Sequence, residues 1–415
     1  MANLPVRAEL MGESPYGAPQ LDVPVRLNVN ENPYAPDPEV VESIGRYTMQ
    51  AARQLNRYPD RDFEALRCDL ADYLAAESGV RLNPDQIWAA NGSNEVMLQL
   101  LQAFGGPGRT VASFAPTYSM YPEYARDTFT AYVAGRRKAD FSLDFEQIKQ
   151  VLDAEHPAVV LLASPNNPTG TAVSPSELRE LLHLTLCSGP RVQQGRVHAA
   201  QELEKSSPEG ARGADNVNIA EPEAQIAPRA STIVVVDEAY GEFRRDGVPS
   251  ALTLLDEFPH LVVSRTMSKA FGAAGLRLGY MAASREIIEQ MMLVRLPYHL
   301  SALTQAAARA ALAHRDSLMG QVAQMRADRD RLAQQLSSLG LRVAPSDANF
   351  VFFGKFSDRH ATWQGLLDRG ILIREVGPEG WLRVSVGTGQ ENRAFIEALT
   401  EVMAGGNGGR RAEAR

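Results

Sequence analysis

A chain of 415 residues, 44% hydrophobic and 22% charged, has the composition of a globular protein and length enough for two domains. Its net charge of -8 argues against general nucleic-acid binding, and two cysteines, Cys68 and Cys187, exclude a disulfide framework. No Cys/His cluster has zinc spacing, so no metal is expected. The start, MANLPVRAEL, carries no basic region followed by an apolar one, and no apolar run has the length of a membrane span; a cytoplasmic protein is expected.

Residues 1–37 are Pro-rich and read as an extended arm. From Pro38 helical stretches such as EVVESIGRYTMQAARQL and DFEALRCDLADYLAAESG alternate with short β-rich runs: QIWAA, RTVASFA, TAYVA, AVVLLAS, STIVVVDEAY and LVVSRTMS. This alternation predicts an α/β fold, a mainly parallel sheet sandwiched by helices, in a large domain over 38–296. Residues 187–230 are polar, rich in Gly, Pro and Ala, and weakly periodic; they read as a flexible surface insertion. After Pro297 a long Ala-rich helical region leads into LRVAPSDANFVFFG, ILIREV and WLRVSVG, which predicts a smaller α+β domain over 297–404. The Gly-rich end, 405–415, is expected to be a disordered tail.

In parallel sheets ligands sit beyond the carboxyl ends of the strands, so the residues just past each strand carry the interest. STIVVVDEAY ends a buried strand on Asp237, with Tyr240 three residues on. A helix cap or a salt bridge to a ligand cation would each satisfy that carboxylate. Asn167 follows the strand AVVLLAS in NNPTG, which is also plain turn chemistry. QIWAANGSNEVMLQLLQAF is strand, glycine turn and amphipathic helix; Ser93 and Asn94 sit where helix amides bind phosphate, or where a cap is needed. Tyr118 in FAPTYSMY is placed to stack on a ligand ring or to fill the core. In SRTMSKAFGAAGLRLGY a single lysine, Lys269, stands among hydroxyls and small residues, with Arg277 downstream. A buried ammonium needs water, a partner or a covalent bond to a carbonyl cofactor.

Together and in this order, NGSNE, PTYSMY, NNPTG, DEAY and TMSKAFGAAG followed by LRLGY resemble the blocks of fold-type I pyridoxal-phosphate aminotransferases, in the class that includes histidinol-phosphate aminotransferase. The resemblance runs from about Leu27 to Leu399. It implies pyridoxal 5′-phosphate attached to Lys269, its ring nitrogen against Asp237 and its ring against Tyr118. It further implies Asn167 and Tyr240 at the phenolate oxygen, and Ser93, Asn94, Thr266, Ser268 and Arg277 around the phosphate. Arg383 in WLRVSVG would bind a substrate carboxylate with Asn167, and Arg374 in ILIREVG a substrate phosphate or distal carboxylate. Tyr16 from the arm, and Tyr58 contributed across a homodimer interface, would complete the substrate pocket. The implied reaction is exchange of an amino group between L-histidinol phosphate and 2-oxoglutarate, giving imidazole-acetol phosphate and L-glutamate. The nearest alternative is an aromatic amino-acid aminotransferase on the same scaffold. Neither a nucleic-acid nor a membrane partner is implied.

Overall fold

A computed structural model describes residues 4–191 and 229–412. The expected insertion falls mostly outside the described residues, as does the end of the tail. The strands, in chain order, are β1 (Val25–Arg26), β2 (Ile87–Ala90), β3 (Thr110–Ala115), β4 (Ala131–Arg136), β5 (Val159–Ala163), β6 (Ile233–Asp237) and β7 (Leu261–Thr266). They continue as β8 (Gly279–Ala283), β9 (Arg342–Val343), β10 (Phe350–Gly354), β11 (Ile371–Leu372), β12 (Arg374–Glu375) and β13 (Trp381–Ser385). Three helices matter early: α1 (Pro38–Ala52), α2 (Glu64–Ser78) and α3 (Ser93–Phe104).

Seven strands form one sheet in the order β2-β8-β7-β6-β5-β3-β4. Its central strands β5, β7 and β8 are buried at every position, as expected where helices cover both faces. The α/β expectation therefore holds, with one strand not foreseen. β8 pairs antiparallel with both β7 and β2, so it alone runs against the sheet. GYMAA is short, without β-branched residues and mostly glycine and alanine, which hides it from propensity. The reversal places the start of β8, not its end, beside the carboxyl ends of its neighbours.

A second, antiparallel sheet, β12-β13-β10-β9, has its own apolar core of Val351, Phe353, Leu382, Val384, Phe395 and neighbours. Three expected boundaries move. The larger core still includes Leu318, Val322 and Met325, whereas Leu332 and Leu336 belong to the smaller one. The change of core thus falls inside the helix Arg315–Ser338, not at 296/297, because one long helix lends a stripe to each. The arm also ends early: β1 pairs in parallel with β11, and Leu27 is buried in the smaller core. At the other end the helix Gly389–Ala412 replaces the expected disorder as far as Ala412. Propagation from packed turns carries a helix into sequence that would not nucleate one. Among the described residues no helix is long and apolar enough to cross a membrane.

Candidate active site

The carboxyl ends of β2, β3, β5, β6 and β7 share one end of the large sheet, and the start of β8 joins them there. That geometry gathers distant motifs. Gly279 at the start of β8 pairs with Ala90 on one side and Thr266 on the other. Arg277, two residues earlier, is thereby delivered between the first turn of α3 and the loop after β7. The fit is close: a Cβ on Gly279 would lie 2.0 Å from Ser93 N, and one on Gly92 2.6 Å from Arg277 Nη2. Gly92 also has φ +87°, where side chains are strained. Thr266 Oγ1 donates to Ser268 Oγ at 3.0 Å, and Arg277 Nη1 to the same oxygen at 3.4 Å. Hydroxyls, a guanidinium and the unpaired amides of a helix start thus converge, a setting for a phosphate.

These groups open into a cavity of about 520 Å³ between the two sheets. It is lined by every expected residue except Tyr58: Tyr16, Ser93, Asn94, Tyr118, Asn167 and Asp237, with Tyr240, Thr266, Ser268, Lys269, Arg277, Arg374 and Arg383. Tyr58 lies elsewhere, highly exposed, its ring stacked on Tyr298 with centroids 4.5 Å apart.

Among the described residues, none of Lys269, Asp237, Arg277, Arg374 and Arg383 has an opposite charge within 4.0 Å, although 26 such pairs occur elsewhere in the molecule. Lys269 Nζ donates only to Val29 O, at 2.9 Å. Burial, then the cations Arg383 and Arg277, pull this amine from 10.5 to about 8, opposed by Glu31. Asp237 accepts from Tyr121 hydroxyl and from Ala239 N, each at 3.2 Å. These bonds offset burial only in part, and the carboxyl is pushed up to about 6.

Its neighbour Glu238 meets the opposite fate. Alternation along the backbone turns it away from the cavity, onto Arg265, Arg244, Ser250 Oγ and Ala251 N. Burial opposes ionisation there too, but the two guanidiniums outweigh it and hold Glu238 below the usual range. Two adjacent acids are thus divided: one sealed into an ion network, one left facing the cavity without a cation.

Arg383 is buried and donates to Asn167 Oδ1 at 2.6 Å and Asn28 O at 2.8 Å, while its Nε has no partner. With its oxygen occupied, the Asn167 amide keeps its N–H donors for the cavity. Burial pulls Arg383 down to about 10. Arg374 stands directly opposite it in the β12–β13 register, an unfavourable juxtaposition unless an anion lies between. Tyr16 reaches the cavity from the arm by a 2.8 Å bond to Ser119 Oγ.

Sequence reasoning missed Asn28, Asn30, Tyr121 and Glu31. Tyr121 shares the string PTYSMY with Tyr118, where spacing alone cannot say which ring meets the carboxylate. The only signal for the others was two asparagines at alternate positions of LNVNE, within a stretch read as arm. Both are nearly fully buried.

Residues 23–188 and 223–399 match the model of the family described as aminotransferase class I and II. Over 404 residues the chain is 52% identical to histidinol-phosphate aminotransferase 3 of Burkholderia lata, which covers 97% of both proteins. It is 51% identical over 402 residues to the histidinol-phosphate aminotransferase of Frankia casuarinae, covering 97% of this chain and 91% of that protein. Its fold is that of histidinol-phosphate aminotransferase from Sinorhizobium meliloti, solved in complex with pyridoxal-5′-phosphate: TM-score 0.72, 23% identity, 92% of each chain covered. By these matches along nearly its whole length, the chain belongs to the class I and II aminotransferases.

Proposed function

We propose that this chain moves the amino group of L-histidinol phosphate to 2-oxoglutarate, with pyridoxal 5′-phosphate as cofactor, giving imidazole-acetol phosphate and L-glutamate. The observation that carries this reading is the pair Arg374 and Arg383, opposed across two strands with no acid within 4.0 Å among the described residues, in the same cavity as the buried Lys269. Two such cations suit the phosphate of one substrate and the two carboxylates of the other. The names of relatives half identical to the chain point the same way.

The residues present fit the cofactor. Among the described residues, Asp237 is a buried carboxylate lacking a cation within 4.0 Å, and the cluster of Ser93, Thr266, Ser268 and Arg277 lacks an anion. When bound, pyridoxal phosphate supplies a ring that takes up electrons from the bond broken next to the amine. Lys269 would hold its aldehyde carbon at rest; once freed, Nζ would carry the proton from the amine-bearing substrate carbon to that cofactor carbon. The charge of Asp237 would keep the ring nitrogen protonated. Tyr240 and Asn167 would donate to the phenolate oxygen, and Tyr118 would cover the ring. Arg374 grips the substrate phosphate, with Tyr16 beside it.

Arg374→Ala tests the substrate assignment. It is expected to raise the KM for the phosphorylated donor about 10–100-fold, the worth of a lost charged hydrogen bond or two. The KM for an unphosphorylated aromatic amino acid should change far less. Steady-state kinetics on both donors decide it; equal effects would favour the aromatic aminotransferase.

The functional unit in this reading is a homodimer. Leu55 and Tyr58, before α2, and Leu293, Leu296 and Tyr298, after β8, are exposed apolar side chains on segments tied together by Arg295, which bonds Asp62 Oδ1 and Arg61 O. Such a patch is suited to burial against a second copy. Tyr58 then completes the partner's cavity. Mixing Tyr58→Ala with Lys269→Ala subunits should restore activity beyond that of either variant, since one site per mixed dimer regains both residues. No recovery in dimers shown to have exchanged would place Tyr58 outside the site.

A further inference from the structure

The segment Leu27–Glu31 runs along the cavity and ties both sheets to it. Leu27 O accepts from Ser385 N, Asn28 O from Arg383 and Val29 O from Lys269. Asn30 is the most constrained. It is 1% exposed, has φ +57°, and its carbonyl accepts from Asn349 Nδ2 at 2.9 Å. Its backbone N–H donates to Ser385 Oγ at 2.8 Å, while that hydroxyl donates back to Asn30 Oδ1 at 2.9 Å. The serine proton is thereby spent on Oδ1, which assigns Oδ1 to the serine side and turns the amide nitrogen the other way. Asn30 Nδ2 donates to the hydroxyl of Tyr240 at 3.0 Å.

A phenol has one proton. Because its oxygen already accepts from an amide, which has no lone pair to offer in return, the Tyr240 proton must point elsewhere. The ring packs edge-on against Phe350, with centroids 5.0 Å apart, and the hydroxyl's open side is the cavity. We propose that Asn30 is a positioning residue: held by Ser385, it directs the Tyr240 proton into the cavity and makes that hydroxyl a dedicated donor to the bound ligand. The inference rests on the cofactor reading above, in which the acceptor is the phenolate oxygen of pyridoxal phosphate. Ser385 and Arg383 share one face of β13, so the strand that binds substrate also orients the cofactor's donor.

The test is a pH titration of the visible absorption of the cofactor-loaded protein. Asn30→Asp keeps size and tolerance of positive φ but replaces the donor by an acceptor, so the Tyr240 proton turns away from the cavity. Losing a donor to the phenolate should raise the spectral midpoint by about one pH unit. Ser385→Ala frees the amide to flip and should raise it less, in the same direction; it carries the test if the aspartate variant does not load cofactor. Asp237, Lys269, Arg383, Tyr118 and Tyr16 also face Tyr240 or share its cavity and are unaltered in both variants. In a Tyr240→Phe background, Asn30→Asp should add no further shift, which separates proton direction from the mere addition of charge. Unchanged midpoints, or an equal shift without the hydroxyl, would overturn the inference. A parent protein with no visible band would sink the cofactor reading itself.

Discussion

Replacing Lys269 with alanine is expected to cut turnover by about 10⁴-fold or more and to abolish the visible absorption of the cofactor-loaded protein. The magnitude follows from the amine having two tasks, covalent attachment and proton transfer, with no neighbour able to assume either. Among the described residues it is the only lysine lining the cavity. Its depressed value of about 8, from burial first and Arg383 next, leaves an appreciable neutral fraction near pH 8, the form that attacks an aldehyde. Lys269→Arg supplies the control: it keeps the cation and loses the nucleophile, and should be as inactive as alanine. Borohydride reduction followed by peptide mapping should place the label on residue 269. A label elsewhere, or an arginine variant that turns over, would refute the attachment.

The second large effect is expected at Asp237, where activity and stability should move in opposite directions. Asp237→Asn removes the charge that keeps the ring nitrogen protonated, and kcat should fall about 10²–10³-fold. The cofactor-free protein should become more stable. Folding raises this carboxyl from 3.8 to about 6, so the folded state binds the proton more tightly than the unfolded one. The group's contribution is complete below the lower value and is lost as pH rises through the upper one, a change of about 3 kcal/mol. Asparagine does not titrate. Above pH 6 the cofactor-free variant should therefore surpass its parent by up to about 3 kcal/mol, and the gap should shrink as pH falls toward 4. Denaturant midpoints across that range measure it. A gap that does not change with pH would show that the buried charge is not its source.

The division between Asp237 and Glu238 illustrates what could be read early. Strand runs ending in polar residues place Asn167, Asp237 and Lys269 at one end of a parallel sheet, because burial of β-branched runs leaves the strand ends as the natural place for polar chemistry. Nothing in DEAY says which acid is free, however. That depends on Arg265 and Arg244, brought to Glu238 by the loops after β6 and by β7. Likewise Arg277 was picked out by composition, but its delivery needed β8 to run backwards, a pairing that local propensity does not reveal.

Local chemistry along the chain sufficed for the alternation of helix and strand, the order of the motifs and the kinds of side chain a carbonyl cofactor requires. Polar contacts were settled only by folding: Arg374 against Arg383 across two neighbouring strands, Asn167 on Arg383, 216 residues away, and Asn30 held by Ser385, 355 residues away. The reason is physical. Periodicity records which face of an element meets the core, whereas a hydrogen bond between two polar atoms imposes no repeat on the residues around either of them.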